Sequence, residues 1–292
     1  MGDPLRFVEA NGLRFAYLEA GAGPLVLLLH GFPDTARSWD FHRSQLAAAG
    51  YRAVSPYLRG YAPSGIPRQD TTLLTLAQDV LALTEALGEQ RALLVGHDWG
   101  AAAAYGAAAL APARVTRLVS VAVPHPATFR PTPRVAWGVR HFLAFKLPAA
   151  SRRFARSDFA ALPALYRRWS PDWTPPPEEF AAVRDCFADR RSLEAAFGYY
   201  RALPLATPRS LRAPTTVPTV AFAGAGDQLA RPEQYQRAAR HFTGSYRVET
   251  LPGGHFLHRE HPERFANRLV AALRDSSPSA PAAARTPPSF RR

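Results

Sequence analysis

At 292 residues, 47% of them hydrophobic and 20% charged, the chain has the composition of an ordinary globular protein and room for one large domain with an insertion, which excludes a fibrous or wholly disordered protein. A net charge of +13 brings nucleic acid and anionic membranes into question. All of the 36 basic residues except Lys146 are arginines scattered along the chain, and even the group Arg152, Arg153, Arg156, Arg167 and Arg168 reads as a solvated face, so neither partner is expected.

Cys186 stands alone, which rules out an intrachain disulfide and a metal site built on paired cysteines. With no leader-like N-terminus and no apolar run of membrane-spanning length, the expected location is cytoplasmic.

In chain order, residues 5–19 alternate apolar and polar side chains around Asn11-Gly12, which predicts a β-hairpin. Residues 25–29 are continuously apolar, as in a strand covered on both faces. Similar runs at 52–54, 92–95, 118–123, 217–222 and 246–251 alternate with helical patterns such as 73–87 and 101–110, which predicts a mostly parallel, doubly wound α/β sheet. The rhythm breaks from 125 to 213, where helical periodicity and prolines replace strands. A helical cap inserted between two sheet strands explains that break. The predicted organisation is a core of 1–124, a cap of 125–213, a second core part of 214–275, and a disordered Ser/Pro/Ala-rich tail of 276–292.

The chemistry concentrates in four short segments. In residues 91–109, RALLVGHDWGAAAAYGAAA, an apolar strand meets an alanine-rich helix at Gly96-His97-Asp98-Trp99-Gly100, the context of a nucleophile elbow with aspartate at its tip. A carboxylate there can attack an sp³ carbon and form an alkyl ester, which water must then cleave. His255, in Gly253-Gly254-His255 after the last strand, is the candidate base. Asp227, in Gly224-Ala225-Gly226-Asp227 after the preceding strand, is the candidate acid that orients it. His30-Gly31-Phe32-Pro33-Asp34 follows the first buried strand, where an oxyanion hole belongs, and the backbone N–H groups of Phe32 and Trp99 are its candidate donors.

HGFPD, PYLRGYAPS, GHDWG, VAVPHP, GAGD and GGH, in that order along nearly the whole chain, resemble the epoxide hydrolase and haloalkane dehalogenase branch of the α/β-hydrolase fold, the epoxide hydrolases most closely. The resemblance implies an α/β-hydrolase fold with a helical cap, a small apolar epoxide as substrate, water as co-substrate, and neither cofactor nor metal. It also implies a cap tyrosine before an arginine that donates to the epoxide oxygen. Tyr200 in Tyr199-Tyr200-Arg201 matches, with Tyr199 as its rival. A second cap tyrosine of the family is replaced by His141, whose imidazole N–H offers another donor. A homodimer is left open.

Blander readings stand beside these. Asp98 could merely cap a helix, and aspartate after glycine, as at Asp227, is common turn chemistry. His30 and His97 read as orienting backbone, His125 as structural, and Trp99 as a pocket wall. Gly21 and Gly23 precede their strand instead of following it, so a dinucleotide loop is rejected. Two other functions compete. A dehalogenase would use the same triad, but Phe32 stands where haloalkane dehalogenases often carry asparagine, and Trp99 where fluoroacetate-type enzymes carry arginine. A binding protein on the same scaffold would be expected to show a broken triad, and all three positions are filled.

Overall fold

The computed structural model describes residues 4–128, 140–204 and 207–274; the side chain of His141 and the segment predicted as a disordered tail lie outside the described residues. Strands β1 (Arg6–Ala10) and β2 (Leu13–Ala20) form the expected hairpin, with Asn11 at φ 45° and Gly12 at φ 71° making its turn. β3 (Leu25–Leu29), β4 (Arg52–Pro56), β5 (Ala92–His97), β6 (Val115–Val121), β7 (Thr219–Gly224) and β8 (Tyr246–Leu251) complete one eight-stranded sheet in the order β1-β2-β4-β3-β5-β6-β7-β8. β2 pairs antiparallel with both neighbours, and the strands from β4 across to β8 pair parallel.

The unbroken apolar run of β3 is explained by its two covered faces. Leu25, Leu27 and Leu29 join the core under α2 (Leu73–Ala86) and α3 (Trp99–Leu110), whereas Val26 and Leu28 join the opposite core with Leu46 of α1 (Asp40–Ala48) and Phe265. After β3 the chain moves outward to β4 and then returns to the other side of β3 as β5. That reversal is a topological switch point, where the loops leaving the carboxyl ends of β3 and β5 diverge and leave a crevice.

Between β6 and β7 lie only helices and short helical turns among the described residues: α4 (Arg140–Lys146), α5 (Ala150–Phe154), α6 (Leu162–Trp169), α7 (Ala181–Ala188) and α8 (Arg190–Arg201). They cover the switch point. No helix among the described residues is long and apolar enough to cross a membrane.

Candidate active site

The chain turns sharply at Asp98. β5 ends at His97 and α3 begins at Trp99, so one residue turns the chain, and Asp98 takes φ 49° and ψ −118°, a strained conformation for a residue with a Cβ. Glycines make room for it: a Cβ on Gly96 would lie 2.4 Å from the Gly100 carbonyl oxygen, and one on Gly100 would lie 2.2 Å from that of Leu29. A capping aspartate would fold its side chain back onto the first N–H groups of α3, and no such bond forms. The carboxylate turns instead to the loop after β3, where the Phe32 N–H donates to Asp98 Oδ1 at 2.8 Å. Trp99 follows immediately, in the first turn of α3.

The loops after β7 and β8 bring two more residues to this point. His255 Nε2 lies 3.6 Å from Asp98 Oδ2, and His255 Nδ1 lies 3.1 Å from Asp227 Oδ2. The other Asp227 oxygen accepts the backbone N–H groups of Leu229 (2.7 Å) and Ala230 (3.3 Å), which fix the carboxylate against the imidazole. Burial opposes charge on His255, but the carboxylates of Asp227 and Asp98 outweigh it and raise its pKa from 6.5 to about 10. Burial pushes the Asp98 carboxyl upward, and the interactions with His255, His97 and the Phe32 N–H bring it below its usual value. The resting arrangement is therefore an imidazolium between two carboxylates.

The two cap tyrosines are separated by their partners. Tyr199 donates its hydroxyl to the Arg59 carbonyl at 2.6 Å, which commits its proton to the core. Tyr200 sets its ring edge against Trp99 (5.2 Å) and Phe32 (5.6 Å). Burial first, and the nearby Asp98 charge second, hold this phenol well above its ordinary pKa, so it stays protonated. Phe145, Phe154 and Phe197 pack around Phe32 at 5.3, 5.6 and 5.6 Å and give the cap an aromatic underside. His141 sits in α4, with its side chain outside the described residues.

Three further histidines singled out in the sequence, His30, His97 and His125, each meet a backbone group. His30 Nδ1 contacts the Gly31 carbonyl at 2.9 Å, and its Nε2 accepts the Leu58 N–H at 3.0 Å. His97 Nε2 contacts the His255 carbonyl at 2.9 Å. His125 Nδ1 accepts the Ala127 N–H at 3.2 Å, and its ring stacks on His241.

A buried clasp between cap and core went unread in the sequence. Arg259 bonds Asp34, Glu179 and Tyr166, and the Tyr166 hydroxyl donates to Asp34 Oδ1 at 2.7 Å. Asp34 was visible in HGFPD, but its partners are 132 and 225 residues away, and no local pattern announces them. Asp34, His97 and His258 also bring three ligating atoms within 4.8 Å of one another. The Arg259 guanidinium already neutralises Asp34, which disfavours a metal cation in that group.

Residues 24–262 match the family described as the alpha/beta hydrolase fold. The chain belongs to that family. This hydrolase is 30% identical to Epoxide hydrolase A of Mycobacterium tuberculosis (strain ATCC 25618 / H37Rv) over 319 aligned positions, covering 94% of this chain and 98% of the relative. It is 27% identical to the AB hydrolase superfamily protein YfhM of Bacillus subtilis (strain 168), over 92% of this chain and 97% of that one. Among solved structures, Epoxide Hydrolase A from Mycobacterium thermoresistibile superposes with a TM-score of 0.81 at 26% identity, covering 94% of this hydrolase and 99% of that chain. These relatives place the hydrolase in the epoxide hydrolase branch.

Proposed function

We propose that this hydrolase opens epoxides to diols through an ester on Asp98. The observation that carries the reading is a carboxylate held at a strained elbow, with His255 3.6 Å from one oxygen, the Phe32 N–H on the other, and a protonated Tyr200 nearby on the cap side.

Asp98 attacks an epoxide carbon, an alkyl ester forms and the C–O bond of the ring breaks. Tyr200 donates to the oxygen as it becomes an alkoxide, and the His255 imidazolium supplies the proton that leaves the phenol neutral again. Esterification removes the Asp98 charge that supports both the imidazolium and the high pKa of the phenol, so the same step frees His255 to act as a base. His255, held by Asp227, then takes a proton from water, and the resulting hydroxide adds to the ester carbonyl. The Phe32 and Trp99 N–H groups stabilise the oxyanion, a term worth about 10²–10³ in rate per donor. Collapse passes the remaining water proton to the departing alcohol, which regenerates the Asp98 carboxylate and the imidazolium. Cofactor and metal have no part in the scheme. His141 is proposed as a second donor to the epoxide oxygen, in place of a tyrosine.

A halide leaving group fits less well. A halide departs without a proton, which leaves the protonated Tyr200 beside Asp98 with no part in the step. The test is His255→Gln incubated with a panel of epoxides and haloalkanes and read by intact-mass spectrometry. Addition of a whole epoxide mass at Asp98 supports the proposal. An alkyl adduct without halide supports dehalogenation, and the absence of any adduct across the panel contradicts both.

A further inference from the structure

Three consecutive backbone N–H groups run through the loop that carries His255, and each is held by an acceptor outside the triad. Gly254 N–H donates to Glu260 Oε1 at 2.8 Å, His255 N–H donates to the Trp169 carbonyl at 3.2 Å, and Phe256 N–H donates to Ser170 Oγ at 3.2 Å. Ser170 Oγ itself donates to the same Glu260 oxygen at 2.7 Å, which orients the serine so that a lone pair faces Phe256. Trp169 is the last residue of cap helix α6 and Ser170 the residue after it. The cap therefore grips the catalytic-histidine loop by its main chain.

The grip is close. A Cβ on Gly254 would lie 2.6 Å from both Cα and Oγ of Ser170, so only glycine lets the two segments meet. Ser170 is fully buried, and the Trp169 ring stands edge-on to the His255 imidazole with centroids 5.4 Å apart. On the opposite side the His255 carbonyl is held by His97, the residue before Asp98. The backbone of His255 is thus fixed between the end of β5 and the end of α6, and the second of these contacts belongs to the cap.

We infer that Ser170 and Glu260 are positioning residues that seat His255 for hydrolysis of the ester, so that seating of the cap sets the reach of the base. The inference rests on the Asp98 ester mechanism proposed above. Ring opening calls on His255 only to return a proton to the phenol after Tyr200 has donated, whereas the second half-reaction needs the imidazole placed to reach water at the ester carbonyl. Removing the serine hydroxyl strips an acceptor from Phe256 N–H and a donor from Glu260, and the loop can drift. A misplacement of about 1 Å costs on the order of 10²-fold in a positioned proton transfer.

The experiment is single-turnover and steady-state kinetics on Ser170→Ala, Glu260→Ala and Glu260→Gln, with an epoxide that alkylates the wild type. The two alanine variants are expected to form the ester within about twofold of the wild-type rate and to hydrolyse it about 10–100-fold more slowly. The ester then accumulates, and kcat and KM fall together while kcat/KM holds. Glu260→Gln keeps a carbonyl oxygen for Gly254 and Ser170 and is expected to behave like wild type. A general loss of packing would instead lower kcat/KM, because ester formation would slow along with its hydrolysis. Should Ser170→Ala fold poorly, Glu260→Ala removes the same link from a half-buried position and carries the prediction alone. Ester clearance at the wild-type rate in a folded alanine variant overturns the inference. If no ester is ever trapped, even in His255→Gln, the ester mechanism itself fails, which is a separate result.

Discussion

Replacing Gly31 with alanine tests the geometry of the nucleophile with a single carbon atom. The new Cβ would lie 2.3 Å from Asp98 Cβ and 2.5 Å from Asp98 Oδ1. Ordinary carbon contacts lie near 3.5 Å, so Asp98 or the loop must yield by about 1 Å, a shift that costs on the order of 10²-fold in an aligned displacement. The same shift pulls the Phe32 N–H off Asp98 Oδ1 and weakens the second half-reaction as well. Overpacking of this kind costs typically about 1–3 kcal/mol of stability, so the fold should survive. Gly88→Ala is the control, because its backbone is left-handed at φ 86° with nothing within 4 Å of the added Cβ, so it introduces strain far from the chemistry. Rapid-quench measurement of ester formation, alongside thermal melts, decides the matter. Gly31→Ala should keep a cooperative melt at a lowered temperature and alkylate about 100-fold more slowly, whereas Gly88→Ala should lose stability and keep its rate. Wild-type alkylation by a folded Gly31→Ala enzyme would refute the placement of the nucleophile.

Three further outcomes follow from named contacts. Tyr200→Phe should slow ring opening by about 10²–10⁴-fold, while Tyr199→Phe should lose only its bond to Arg59, about 1 kcal/mol of stability, and keep its turnover; stopped-flow fluorescence with denaturant melts distinguishes the two. Because His255 binds its proton more tightly in the folded state, its stabilising contribution is complete below its ordinary pKa of 6.5 and is lost as pH rises toward about 10. The stability gap between wild type and His255→Gln, measured by urea unfolding, should therefore shrink over that interval. Arg259→Met strands the buried Asp34 carboxylate and should cost about 3–5 kcal/mol, read as a lower melting temperature, and a melt within two degrees of wild type would contradict the clasp.

The parts of the fold written locally were legible in the sequence. Asn11-Gly12 announces its hairpin, β3 reads as a doubly covered strand, and β8 falls at residues 246–251 as predicted. Boundaries were less so: β7 begins at Thr219 instead of Val217, because residues 215–217 turn through side-chain and backbone bonds of Thr215 before the strand pairs. At the site, Asp98, Asp227 and His255 were marked by glycine-bearing loops at strand ends, a local signal. The choice between Tyr199 and Tyr200 was not, since neighbouring residues of a helix differ only in which tertiary partner they meet. The same reason hid Ser170, Glu260, Arg259 and Tyr166, whose roles exist only once the cap lies on the core.

The covalent role of Asp98 is tested most directly by one turnover in heavy-oxygen water with enzyme in excess over epoxide, followed by mass analysis of the diol and of the peptide containing residue 98. The account predicts an unlabelled diol and one heavy oxygen in the Asp98 side chain, because the added diol oxygen comes from the carboxylate and the water oxygen replaces it. A labelled diol with an unlabelled Asp98 would mean that water attacks the epoxide directly, and would contradict it.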